Sequence, residues 1–126
     1  MSQLKMQKLL YYCQAASLAW TGTPMFGDAI EAWINGPVVV SFWNNHRYEG
    51  WITAVPEGGE LHDHVARQIC DRVYDHYKAL QGWQLRDISH QEKPWIDARG
   101  RVSRTARSNA PITTTAMLKH YRETWT

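Results

Sequence analysis

Apolar positions along the first twenty residues recur at helical spacing. Met6, Leu9, Leu10, Cys13, Ala16, Ser17 and Trp20 fall at the i, i+3, i+4, i+7 intervals of one face. The spacing predicts a helix over 4–20, capped by Ser2. Thr21-Gly22-Thr23-Pro24 stops it, since Gly suits a left-handed C-cap and Pro follows. From Ile30 to Ile34, apolar positions alternate with Glu31 and Trp33, which predicts an extended segment. Asn35-Gly36-Pro37 reads as a turn. Pro37 is then expected as the first residue of a second helix over 38–48, where its missing N–H costs nothing. Val39, Phe42, Trp43 and His46 share a face of that helix. A connector covers 49–59, with 51–55 as a short strand suited to pair with the Ile30 segment and Pro56-Glu57-Gly58-Gly59 as a breaker. Leu61, Val65, Ile69, Val73 and Tyr77 step by four, predicting a third helix over 60–80 that Gly82 ends. Short helices are expected over 83–89 and 95–98. Residues 99–111 hold four Arg, Gly100 and Pro111, and read as an exposed loop. Thr113 caps a last helix over 114–123, with Met117, Leu118 and Tyr121 facing inward. The fold class is mainly α: one compact single domain over 1–126, a bundle of about five to six helices with room for a short two-stranded β element.

Composition narrows the classes. A chain of 126 residues with 44% hydrophobic and 21% charged residues is globular, and folds without needing disulfides or metal. The net charge of +2 gives no whole-protein reason to expect nucleic acid. Lys5, Gln7, Lys8 and Gln14 interrupt the first apolar run, which argues against a secretory or membrane-spanning segment. Cytoplasmic residence is expected, with Cys13 and Cys70 as reduced thiols rather than a disulfide. Seven Trp and six Tyr stand against two Phe. Trp and Tyr are the aromatics enriched at interfaces, so some Trp are expected at the surface as a binding patch.

Catalytic constellations are missing. If the third helix starts at 60, His62 and His64 point about 200° apart and cannot share one ion from the helix itself. There is no Cys-x-x-Cys, His-Glu-x-x-His or Gly-x-Ser-x-Gly, and Gly58-Gly59 lacks the Lys-Ser/Thr of a nucleotide loop. No catalytic residue, metal or cofactor is assigned, and the chain is expected not to be an enzyme. Arg99, Arg101, Arg104 and Arg107 contribute +4, leaving the rest of the chain at −2. Such a run is usually a solvated loop. Its functional readings are an acidic protein surface or a phosphate backbone, and the lack of aromatic interleaving favours the protein. Trp33, Trp43, Trp51 and Trp95 are each more often core than interface. Trp43 and Trp51 nevertheless bracket a polar bend with Tyr48, resembling a hot spot with a polar rim. The partner-binding candidates are Trp43, Tyr48, Trp51, Arg99, Arg101, Arg104 and Arg107.

Three blocks carry a family resemblance. Lys5-Met6-Gln7-Lys8-Leu9-Leu10-Tyr11-Tyr12-Cys13-Gln14 resembles the opening Lys-Leu-Gln-Lys-Leu-Leu-Tyr-Tyr-Ala-Gln of the Panacea, or SocA-like, antitoxin domain. Ile30-Glu31-Ala32-Trp33-Ile34-Asn35-Gly36-Pro37-Val38 is similar to its Ile-Glu-Ala-Trp-x-x-Gly-Pro-Val block, with Met25-Phe26 before it. Ser89-His90-Gln91-Glu92-Lys93-Pro94-Trp95 is similar to its Thr-His-x-Glu-x-Pro-Trp. The chain departs from the pattern at Cys13, in the stretch after Val38, and in the Arg-rich loop.

The resemblance implies a mostly helical antitoxin of a type II toxin–antitoxin pair, bacterial or phage-borne and without cofactor. It would neutralise the toxin of an adjacent gene by direct protein–protein binding; from composition and charge, no membrane partner is expected and nucleic acid is disfavoured. The alternatives are an adaptor that delivers the toxin to a protease, and a small enzyme built on a Glu31/His90/Trp95 cluster. A DNA-binding autoregulator ranks below them, because no basic recognition helix is evident. The motif residues Tyr12, Gln14, Glu31, Trp33, His90 and Trp95 are expected to meet, either as a partner surface or as a buried hydrogen-bond network.

Overall fold

The computed structural model describes residues 1–46 and 63–125. Ser2 accepts a hydrogen bond from the Lys5 amide at 3.2 Å and opens α1 (Gln3–Thr21), which Gly22 closes at φ 77°. Both caps are those the sequence predicts. The burial is not. Residues 6–9 and 11–18 are all buried, because α1 packs against α3 (Asp63–Tyr77), α4 (Gly82–Ser89), α6 (Thr114–Thr124) and the sheet. It is the central helix of the fold, not an amphipathic helix with one inward face. Trp20, expected on that face, is exposed.

A central helix has no solvent side for its polar residues, so each must find a partner. Gln7 binds both backbone groups of Val39: its Oε1 accepts from the amide at 2.8 Å and its Nε2 donates to the carbonyl at 3.4 Å. Gln14 accepts from the Met25 amide at 2.7 Å and donates to the Phe26 carbonyl at 2.7 Å. Ser17 donates to the Thr23 carbonyl. The polar residues that interrupt the apolar run thus fasten the following chain onto α1.

That chain forms a hairpin of β1 (Ile30–Trp33) and β2 (Gly36–Val39), antiparallel and in the register Ile30↔Val39, Ala32↔Pro37. Pro37 therefore lies in a strand and does not begin a helix; α2 (Val40–His46) starts three residues later. The Ala32 amide points away from β2 and donates to the Ala110 carbonyl at 2.8 Å, so Pro37 sits where the ladder needs no N–H. The Ile112 amide donates to the Ile30 carbonyl, also at 2.8 Å, and Pro111 bridges to Glu31. Residues 110–112 thus cover the outer edge of β1. Residues 51–55, the predicted end of the second helix, the breaker and the start of the third helix lie outside the described residues.

α3 ends at Tyr77. Gly82 begins α4 rather than ending α3, and Gln84 caps the new helix by accepting from the Gln81 amide at 2.7 Å. A Cβ at position 82 would lie 2.9 Å from the Lys5 backbone nitrogen, so glycine lets α4 approach α1. α5 (Lys93–Arg99) runs longer than predicted and takes Arg99 out of the expected loop. Thr113 caps α6 by accepting from Ala116 at 3.1 Å, as expected. Six helices and one two-stranded sheet among the described residues make a mainly α fold.

Candidate functional site

Lys8 is wholly buried, and its Nζ donates to the Pro37 carbonyl at 2.9 Å. Burial, reinforced by the charge of Arg86, lowers its pKa from 10.5 to about 7. On the same helix, the Tyr12 hydroxyl donates to Glu92 Oε1 at 2.7 Å. The Tyr121 hydroxyl lies 2.9 Å from both Glu92 Oε1 and the Tyr11 hydroxyl. Burial raises the Glu92 pKa, and its two tyrosine donors oppose that rise. Two tyrosines, from α1 and α6, thus meet one carboxylate at the start of α5, and Tyr11 joins them through the Tyr121 hydroxyl.

Trp95 is the largest fully buried side chain among the described residues. Its Nε1 donates to the Trp33 carbonyl at 2.8 Å. The His90 ring stacks on it at 4.0 Å and 13°, and the Arg99 guanidinium lies 4.8 Å from its centroid. Arg99 itself is buried and donates to the carbonyls of Ala32 at 3.0 Å, Ser103 at 2.7 Å and Ala106. The expectation that Arg99 belongs to an exposed contact loop is corrected by this burial. Its charge is spent pinning the loop, while Arg101, Arg104 and Arg107 are exposed. His90 is pushed down to about 4 by burial, with Lys8 and Arg86 adding to the shift, so it is neutral near pH 7.

The three sequence blocks touch through Lys8–Pro37, Tyr12–Glu92 and Trp95–Trp33, mostly inside, while Gln14 bonds the backbone of Met25 and Phe26 instead. Lys8, Leu9, Tyr11, Tyr12, Gln14, Ala32, Gly36, Pro37, Val38 and Trp95 are buried. Leu10, Glu31, Trp33, His90 and Glu92 are half-buried. Glu31 and His90 share no hydrogen bond; Glu31 instead accepts from Trp33 Nε1 at 2.8 Å. No group of His, Cys, Asp and Glu among the described residues is placed to hold a metal. Cys13 and Cys70 are free thiols. The hydrogen bonds of Gln7 and Ser17 were not foreseen from the sequence; their signal was polarity inside an apolar run. Nor was the link between Tyr121 and Glu92, which only the fold brings together.

At the surface, Trp33 and Trp43 pack edge-to-face with centroids 5.6 Å apart at 74°. With Ile34, Arg107, Ser108 and Asn109 they line a groove of about 590 Å3. Trp43, an expected contact residue, is half-buried there; Tyr48 and Trp51, the other two aromatic candidates, lie outside the described residues. The chain matches the family described as Antitoxin SocA-like, Panacea domain, over residues 6–96. It belongs to that family. No curated protein and no solved structure matches the chain. The matched stretch of the Panacea domain holds Lys8, the hairpin, Trp43 and the His90–Trp95 block, whereas Arg107, Ser108 and Asn109 lie beyond it. Family membership supports an antitoxin role in general terms. No helix among the described residues of this Panacea domain is long and apolar enough to cross a membrane.

The buried lysine gives the Panacea domain a pH signature. The unfolded chain protonates Lys8 below pH 10.5, but the folded chain does so only below about 7. Between those values the unfolded state binds more protons, so stability rises with pH. Urea midpoints are expected to increase from pH 7 to pH 9 in the wild type, and to change less in Lys8→Met. Equal slopes for the two proteins would show that Lys8 is not desolvated.

Proposed function

We propose that this protein is the antitoxin of a type II pair, neutralising the toxin of an adjacent gene by direct binding and catalysing no reaction. The observation that carries the reading is the antitoxin-family match over residues 6–96. It is supported by how the motif residues are used. Lys8, Tyr12, Glu92 and Trp95 tie α1, the hairpin and α5 together through buried and part-buried hydrogen bonds, which suits a scaffold. The exposed arginines and half-buried tryptophans suit a protein contact.

The test is co-expression with the product of the neighbouring gene. The neighbour alone is expected to arrest growth, and this protein to restore it while co-purifying with the toxin at unchanged toxin half-life. Rescue with a shortened half-life would replace masking by delivery to a protease. A harmless neighbour would remove the antitoxin reading.

A further inference from the structure

The loop over 100–113, the end of β1 with its turn, and α2 build one groove, and its walls differ in chemistry. Trp33, Trp43 and Ile34 form the apolar side. Trp33 Nε1 is already spent on Glu31, so Trp33 brings ring surface to the groove rather than a free donor. Arg107, Ser108 and Asn109 form the polar side. This side is held in place from beneath. Arg99 grips the carbonyls of Ser103 and Ala106 on one flank, and the Ala32 amide grips that of Ala110 on the other. Residues 107–109 are therefore fixed opposite the tryptophans before anything binds, which lowers the ordering cost of association.

We propose that this groove docks a protein partner through an acidic segment carrying one large apolar side chain. The identity of that partner as a toxin rests on the antitoxin reading; the groove's chemistry does not. The charge argument is local. Arg101, Arg104 and Arg107 are all exposed, and none has a carboxylate partner among the described residues. Arg107 sets a positive charge beside the aromatic floor, and Arg101 and Arg104 add two more exposed cations on the same loop of a nearly neutral chain. A groove of about 590 Å3 accommodates one large side chain with its flanking backbone. Trp and Arg are also the residues whose truncation costs interfaces most.

The probe is a short fluorescein-labelled peptide of Asp and Glu around one central Phe, titrated by anisotropy. Controls replace the acids by Lys or the Phe by Ser, and a uridine-rich RNA tests the other polyanion class. Saturable binding of the acidic peptide alone is expected, weakened by about tenfold or more in Arg107→Glu and in Trp43→Ala. Arg107 is exposed, so the first variant keeps the fold, which a thermal melt checks. Equal binding of the Lys peptide or the RNA, or unchanged binding in Arg107→Glu, would overturn the proposal. Rescue of growth from the neighbouring gene's product separates the two readings. Rescue that persists in Arg107→Glu removes the groove and keeps the antitoxin. Selective peptide binding without rescue by the wild type keeps the groove and removes the antitoxin.

Discussion

Glu92→Ala is expected to cost about 2–4 kcal/mol of folding stability, because it leaves two buried tyrosine hydroxyls without an acceptor at about 1–3 kcal/mol each. Its Oε1 accepts from Tyr12 at 2.7 Å and from Tyr121 at 2.9 Å, and Tyr121 touches the Tyr11 hydroxyl. Tyr11, Tyr12 and Tyr121 are all buried, so water cannot replace the lost acceptor cheaply. Glu92→Gln keeps a carbonyl oxygen for both donors and removes the charge, so it is expected to stay within about 1 kcal/mol of wild type. The pH dependence supplies a second mark. Burial raises the Glu92 pKa, so above 4.5 the unfolded carboxyl ionises first and wild-type stability falls relative to Glu92→Gln. Urea unfolding of the three proteins decides the matter. An Ala variant as stable as the Gln variant would mean that the tyrosine hydroxyls do not depend on Glu92.

The second large effect is expected at Gly36. Its φ is 105°, and an added Cβ would lie 2.9 Å from both Lys8 Cε and Ser89 Oγ. Neither neighbour yields easily. Lys8 is anchored to the Pro37 carbonyl, and Ser89 is buried and donates to the Arg86 carbonyl at 2.8 Å. Backbone strain and overpacking add, so Gly36→Ala is expected to lose about 3 kcal/mol or more. The turn also carries Trp33 and Ile34, so partner affinity is expected to fall with stability. Gly27→Ala is the control, since a Cβ there meets nothing within 4 Å. Equal unfolding midpoints for the two variants would contradict the packing described around Lys8.

What the sequence revealed and what it hid follow the range of the forces involved. Helix caps are local, and Ser2, Gly22 and Thr113 were all legible. Pro37 was not. A missing N–H is harmless both at the first turn of a helix and at a strand position facing away from its partner. The strand is held by Lys8 at the Pro37 carbonyl and by Gln7 at the Val39 amide, contacts from α1 that no local pattern reports. Arg99 was hidden for the same reason: its carbonyl acceptors sit at positions 32, 103 and 106. For α1, the apolar spacing was real but incomplete, because Gln7, Lys8 and Gln14 look like a solvated face until their backbone partners are known. The groove was half legible. Trp43 and Arg107 were candidates on separate grounds, and only the fold places them in one groove with Trp33.

The central claim is neutralisation by direct protein binding. Calorimetric titration of the purified protein into the purified product of the neighbouring gene tests it without cells, proteases or promoters. A stoichiometric complex is expected, with affinity reduced in Arg107→Glu and loss of toxin activity in proportion to the complex formed. Absence of heat and of a complex, while the toxin retains full activity in excess of this protein, would contradict it.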